Sequence, residues 1–289
     1  MKLLLHYLKK NNFSTYFLFG GDADFDNMKG FLKSNGYDKI IERQNFNRKT
    51  PGTMWGVFDE YLFNYAENIL DSSSSKTLIT IFTITNHQPW DIPIDKEDII
   101  PQFSSDAENS KILRTMYYTD HVIGEFMNQN KDKEWFGNTL FIFISDHGIV
   151  QFNEIYEDPR NAHIPFLIYS SSLISKPQLV DKIASQVDIV PTLLHLIGYN
   201  KEFKLMGSNI LAEDYDGFAL RIVNDYIVWF ESNYIYTEII NQGSKLYQYN
   251  NIYETPYILI DSQEEVYNKI QNNMRAYLQT AYYTYKKLY

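Results

Sequence analysis

The hydrophobic positions change period several times along the chain, and each change marks an element. Leu4, Leu5 and Leu8 fall on one face of an opening helix within MKLLLHYLKK, the spacing of a 3.6-residue turn. TYFLF (15–19) is an unbroken apolar run closed by Gly20-Gly21, and it predicts a strand. Residues 26–34 suit a short helix stopped by the Asn35-Gly36 turn pair, and Ile40 and Ile41 a short strand. Leu62, Phe63, Ala66 and Leu70 recur at helical spacing and predict a helix over 59–69. TLITIFTI (77–84) and TLFIFIS (139–145) read as strands buried on both faces. Between them 108–128 forms a long amphipathic helix, with Ile112, Leu113, Met116, Ile123, Phe126 and Met127 as its apolar stripe. Residues 165–169 predict a further strand, and 190–196 a helix with Pro191 in its first turn.

Strands separated by helices imply a mostly parallel sheet with helices on both faces, here spanning residues 1–200. The pattern then shifts. Residues 219–229, 233–239 and 245–249 are Tyr- and Ile-rich with polar interruptions, and Gln242-Gly243 makes a turn. This predicts a small antiparallel β subdomain over 201–262, followed by a terminal helix over 263–289. The expected class is α/β, with no internal repeat and no long linker.

Composition narrows the function more than the fold. A chain of 289 residues holds one large α/β domain plus an appendage. Its 44% hydrophobic and 21% charged content excludes general disorder. The net charge of −10, without a dense Lys/Arg run, argues against a nucleic-acid partner. The absence of cysteine excludes disulfides and thiolate metal sites. The 24 Tyr and 19 Phe, with many Asn, Lys and Ile, read as AT-rich coding rather than as function. The apolar stretch near Met1 is about five residues, too short for a secretory core. Nothing approaches the roughly 18 apolar residues of a membrane span, so the chain as given reads as soluble.

In an open parallel sheet, ligands gather beyond the carboxyl ends of the strands. The three apolar runs at 15–19, 77–84 and 139–145 are followed by Gly20-Gly21-Asp22, Thr85-Asn86-His87 and Asp146-His147-Gly148. Asp146 and His147 form the sharpest pair: a carboxylate and an imidazole, adjacent at a strand end before a glycine, can reach one divalent cation. Their plain alternative is a loop without a ligand. His87 is either a turn histidine before Pro89 or an imidazole that holds a phosphate or sulfate oxygen. His163, just before a strand, divides evenly between ligand and structure. His6, His121 and His195 lie on predicted helices and read as packing or surface residues. Asp22, Asp24 and Asp26 crowd one loop without an EF-hand pattern, and Asp22 is the one expected to face a site. No Gly-rich phosphate loop, GxSxG elbow or HExxH is present.

Taken in order, GGDADFDNMKGF (20–31), WGVFDEYLF (55–63), TNHQPWDIP (85–93), YYTDHVIGEF (117–126), NTLFIFISDHG (138–148), HIPFLIYSSSLI (163–174) and QVDIVPTLLHLIG (186–198) resemble the sulfatase-domain proteins of the alkaline phosphatase superfamily. The branch is that of lipoteichoic acid synthases and phosphoglycerol transferases, and the likeness runs on through MGSNIL (206–211) to LQTAYYTYK (278–286). The resemblance implies an alkaline phosphatase-like α/β/α sandwich holding one divalent metal, Mn, Mg or Zn. It also implies a threonine nucleophile that attacks an anionic phosphoester or sulfate ester. By resemblance Asp146 and His147 are metal ligands, His87 contacts the transferred group, and Asp22 and His163 bind substrate.

Two departures qualify the likeness. The positions matching a glycerol phosphate-binding Trp and Arg of lipoteichoic acid synthases are Asp26 and Met28 here. Nothing before Met1 supplies the acidic strand and Thr-headed helix that open the family's catalytic domain, and Thr50, Thr53 and Thr85 do not match the nucleophile's context. The expectation is therefore an N-terminally truncated domain with no nucleophile of its own. An upstream polypeptide with membrane helices would supply the rest and anchor the domain outside the cytoplasm. The runner-up reading is a catalytically inactive sulfatase-like domain with a binding or partner-complementing role.

Overall fold

The computed structural model describes residues 2–288 except 105, 149–151, 154, 156, 157, 200, 203, 204 and 263. The chain forms two compact units, residues 1–139 and 140–289.

The first unit opens with α1 (Lys2–Lys10), β1 (Phe13–Phe19), α2 (Met28–Asn35) and β2 (Lys39–Ile41). The two-residue strands β3 (Gly52–Thr53) and β4 (Gly56–Val57) form a small antiparallel ladder. The unit closes with α3 (Asp59–Ser72), β5 (Lys76–Phe82), α4 (Ala107–Asn130) and the short α5 (Glu134–Gly137). Its main sheet is parallel, in the order β2-β1-β5. Alternate side chains of β1 serve opposite faces. Phe17 and Phe19 pack with Leu5 of α1 and Leu32 of α2, while Leu18 packs with Leu62 and Ala66 of α3. The predicted stripe of α1 is buried as expected, with Leu5 fully covered. The α2 helix ends where Asn35-Gly36 predicted: Gly36 takes φ 112°, a left-handed value that glycine reaches without a Cβ penalty.

Two expectations are corrected here. TLITIF is half-buried along its length rather than buried on both faces, because β5 pairs only with β1 and has no second strand neighbour among the described residues. The buried face of α4 runs through Thr115, Tyr118, Val122 and Phe126, whereas Leu113 and Met116 are exposed. Polar contacts set that rotation. The Thr115 hydroxyl donates to Asn86 Oδ1 at 2.9 Å, and the Tyr118 hydroxyl accepts from Glu60 N at 3.4 Å.

The second unit contains β6 (Phe141–Ile144), β7 (Phe166–Tyr169), α6 (Ile189–Leu196), β8 (Phe218–Val223), β9 (Tyr226–Glu231), β10 (Tyr234–Ile239), β11 (Gly243–Gln248), β12 (Ile258–Ile260) and α7 (Glu265–Leu288). β6 and β7 pair antiparallel as a separate two-stranded sheet, not parallel as their sequence setting predicts. Their side chains are half-buried to exposed. The remaining five strands form an antiparallel meander. The run 219–229 proves to be two strands joined at Asn224, whose φ is 54°, a left-handed value that Asn tolerates. Ile227, Trp229, Tyr236 and Leu246 cover α7 through Tyr267, Ile270 and Met274. Val228, Phe230 and Ile235 form the opposite layer with Tyr257.

A buried carboxylate organises the carboxyl end of β5. Asp59, at the start of α3, accepts from the amides of Ile84 (2.8 Å) and Thr85 (3.1 Å) and from the Thr119 hydroxyl (3.2 Å). The Thr85 hydroxyl in turn accepts from Asp59 N at 3.1 Å. Burial pushes the Asp59 carboxyl above its ordinary value, against the pull of these donors.

Met274→Ala is expected to destabilise the second unit by about 2–5 kcal/mol through the cavity left under the sheet, measured by urea unfolding followed at Trp229. Asp59→Ala strands two buried amides and is expected to cost the first unit about 1–3 kcal/mol for each. Because its folded carboxyl is raised, the folded state keeps a proton that the unfolded chain has already released. This group's contribution to stability therefore falls as pH rises through the raised value. Asp59→Asn keeps the acceptor without titrating, so its stability relative to wild type should improve in urea melts as pH rises above the ordinary carboxylate range.

Candidate functional site

In the first unit, β1 and β5 run parallel and end level, Phe19 opposite Phe82. The loops that leave them, carrying Asp22 and His87, therefore start side by side. Gly20 and Gly21 let this happen. A Cβ on Gly20 would lie 2.7 Å from Val57 O, and one on Gly21 2.5 Å from Trp55 O. Asp22 is exposed and its Oδ1 accepts from Asp24 N at 2.9 Å. The next residue is fixed by Glu42, which is buried and accepts from Ala23 N at 3.0 Å, from Lys29 and from Gln44. Burial raises the Glu42 carboxyl, but the Lys29 ammonium and these donors outweigh it and hold the group below its usual range.

His87 is exposed, with its ring against Trp55 (centroids 4.7 Å apart) and facing Trp90 (6.5 Å). Its Nδ1 lies 3.0 Å from Gln88 O, which also accepts from Trp55 Nε1 at 2.5 Å. A carbonyl oxygen only accepts, so Nδ1 carries the hydrogen and Nε2 is the nitrogen left for a ligand. The preceding residues are pinned one after another: Ile84 and Thr85 by Asp59, Asn86 by Thr115. The Thr85 hydroxyl is buried in that anchor, and Thr53 Oγ1 accepts from Trp55 N at 3.1 Å.

In the second unit, Asp146 and His147 follow β6. Asp146 Oδ1 accepts from His147 N at 2.8 Å, and His147 Nδ1 lies 2.9 Å from Gly148 O, again leaving Nε2 free. Asp146 Oδ2 and His147 Nε2 are 3.6 Å apart, with both side chains exposed. Two donors about 2.1 Å from one cation can be separated by at most about 4.2 Å, so this pair fits a shared divalent ion. Among the described residues, no group of three His, Cys, Asp or Glu side chains gathers around one point. Gln186 Nε2 donates to Asp146 O at 2.9 Å and steadies the loop. Gly148 lies against Asn161 O with no room for a Cβ, which brings the segment leading to His163 beside the pair. That segment is shaped by buried Asp158, which binds Arg160 Nε at 2.9 Å and a terminal guanidinium nitrogen at 2.7 Å. His163 Nδ1 meets the Tyr253 hydroxyl at 2.6 Å.

Asp22 and His87 thus belong to the first unit, and Asp146, His147 and His163 to the second. His6 and His195 are exposed, and His121 pairs with Glu125 along α4 at 3.5 Å. The supporting residues Trp55, Trp90, Asp59, Glu42, Gln186 and Tyr253 were not singled out by sequence. Trp55 and Trp90 sit inside WGVFDEYLF and TNHQPWDIP, but only the fold shows that they flank one histidine. No described helix is long and apolar enough to cross a membrane.

A family model described as Sulfatase matches residues 1–199. Lipoteichoic acid synthase-like YvgJ of Bacillus subtilis is 25% identical over 244 residues, 76% of this chain and 39% of that protein. Phosphoglycerol transferase I of Xanthomonas campestris is 23% identical over 218 residues, 72% of this chain and 30% of that protein. The chain therefore spans well under half the length of these curated relatives. The crystal structure of the lipoteichoic acid synthase LtaP from Listeria monocytogenes superposes with a TM-score of 0.80 at 22% identity. That match takes in 96% of this chain and 71% of LtaP, which establishes the alkaline phosphatase-like fold. With more than half of its residues matched by the family model, the chain belongs to the sulfatase family.

Proposed function

We propose that the chain forms part of a metal-dependent phosphoester or sulfuric-ester hydrolase, or of a phosphoglycerol-type transferase, that acts on glycolipid or glycan headgroups of the cell envelope. The observation that carries this reading is the exposed Asp146 Oδ2 and His147 Nε2, 3.6 Å apart at a strand end, in a chain of the sulfatase family. Asp146 and His147 supply two ligands to one Mn, Mg or Zn ion. When bound, such an ion withdraws charge from the ester oxygens and raises the electrophilicity of phosphorus or sulfur. As an imidazolium, His87 donates its Nε2 hydrogen to an oxygen of the transferred group while its Nδ1 hydrogen stays on Gln88 O. Asp22 and His163 bind the remainder of the substrate, His163 being oriented through Tyr253.

Manganese titration by calorimetry tests the metal site directly. Wild type is expected to bind one ion weakly, as two ligands should, and Asp146→Ala to lose that binding. In any preparation that hydrolyses bis(p-nitrophenyl) phosphate, Asp146→Ala should lower kcat/KM by at least about a thousandfold, roughly 4 kcal/mol of transition-state stabilisation. A variant as active as wild type would overturn the assignment. His87→Ala is expected to lower kcat/KM by about a hundredfold while leaving manganese binding unchanged in the same titration.

A further inference from the structure

The last helix of the second unit, α7, changes character halfway along. Its first half lies under the antiparallel sheet: Tyr267, Ile270 and Met274 are buried there, with Tyr277 and Leu278 packed at the margin of the same cluster. No described residue after Leu278 joins that cluster. Beyond it Tyr282, Tyr283 and Tyr285 are 59%, 54% and 64% exposed, although aromatic side chains are ordinarily well covered. Charge separates along with exposure. From Val266 to Lys286 the helix carries Lys269, Arg275 and Lys286 and no Asp or Glu, in a chain of net charge −10. Glu231 and Glu238 reach it from the sheet, but upstream of the three tyrosines: Glu231 accepts from Asn273 at 2.7 Å and Glu238 pairs with Arg275 at 3.6 Å. Lys286 Nζ stands 5.9 Å from the centre of the Tyr282 ring, and Tyr282 meets Tyr283 edge-on at 5.7 Å. Phenol rings and a cation thus form one exposed patch.

We propose that the C-terminal half of α7 docks on an anionic lipid surface, with its tyrosine rings at headgroup level and its lysines against the lipid phosphates. Three occupants compete for the patch. A soluble polyanion engages the lysines but has no apolar layer for three phenol rings. A second copy that presents the same patch in a two-fold contact sets Lys269 and Lys286 against their own like charges. A lipid interface supplies both halves of the match. Its anionic headgroups attract the cations, and its boundary between water and hydrocarbon is where the apolar body and polar hydroxyl of tyrosine are both satisfied. A chain of net charge −10 is repelled by such a surface in most orientations, so a face free of carboxylates is the one that can approach it. Each lysine held near the surface multiplies affinity about fivefold, an effect that salt removes. The docking rests on this helix alone and not on the function proposed above.

Flotation of the full chain with vesicles tests this, using phosphatidylcholine alone and an equal mixture of phosphatidylcholine and phosphatidylglycerol. The chain is expected to float with the anionic vesicles at least tenfold more tightly than with the neutral ones. It should be released in about 1 M salt, where the Debye length falls to about 3 Å. Tyr282→Ser/Tyr283→Ser/Tyr285→Ser should weaken flotation at least tenfold with the urea midpoint unchanged. Lys269→Glu/Lys286→Glu, which leaves every tyrosine in place, should weaken it about twenty-five-fold or more. No flotation, equal flotation with both vesicles, or triple and double variants that float as wild type does would each overturn the proposal. Light scattering that shows a dimer lost in the triple variant, without flotation, would assign the patch to a second copy. Dextran sulfate binding that the triple variant keeps, without flotation, would assign it to soluble polyanions. Asp146→Ala should float as wild type does, which separates failure of the metal site from failure of this surface.

Discussion

The seven-residue parallel pairing of β1 with β5 is the constraint on which the first unit depends. It runs without interruption from Phe13 opposite Lys76 to Phe19 opposite Phe82. Because parallel strands point the same way, both release their loops at one end of the sheet. Gly20 and Gly21 then allow the first loop to lie against Trp55 and Val57, and Asp59 ties the second to the start of α3. A slip of one residue in that register would exchange the faces of β5 and move Leu78 and Phe82 out of the layer they share with α1 and α2. The position of His87 is thus set by a backbone ladder and a buried carboxylate, not by its own exposed ring.

The elements legible in the sequence were those whose pattern is local. The Leu4-Leu5-Leu8 stripe, the Gly36 stop of α2 and the long runs of α4 and α7 carry their own spacing, and the structure follows them. What escaped was set by distant partners. The face of α4 could not be chosen from its apolar residues, since Thr115 and Tyr118 orient it through Asn86 and the start of α3. The strand at 77–84 announces full burial by its β-branched residues, yet burial depends on a neighbour on each side. The division of 219–229 into β8 and β9 turned on one Asn in a left-handed conformation, too weak a signal within an otherwise continuous run.

The candidate site shows the same split. Asp22 and His87 stood out as candidates because each follows an apolar run, and both runs prove to be parallel strands; the Asp146-His147 pair stood out for the same reason, although the strand before it pairs antiparallel. The residues that hold them in place were not: Glu42 reaches Ala23 across 19 positions, and Gln186 reaches Asp146 across 40. Side chains that act at a distance through single hydrogen bonds leave no periodicity behind. The two tryptophans beside His87 were visible as letters, but only the fold brings both to one histidine.

Among the described residues β5 pairs on one side only. KTLITIF has a single charge, at its start, and neither Pro nor Gly. Natural edge strands are usually blunted by inward-facing charges, bulges or early termination, and none of these devices interrupts the seven residues. A strand of this kind is a template for another of like composition. Wherever that edge stands open, β5 rather than the net charge would set colloidal behaviour at high concentration, and an added Lys or Glu at its centre would act on solubility before it acted on any chemistry.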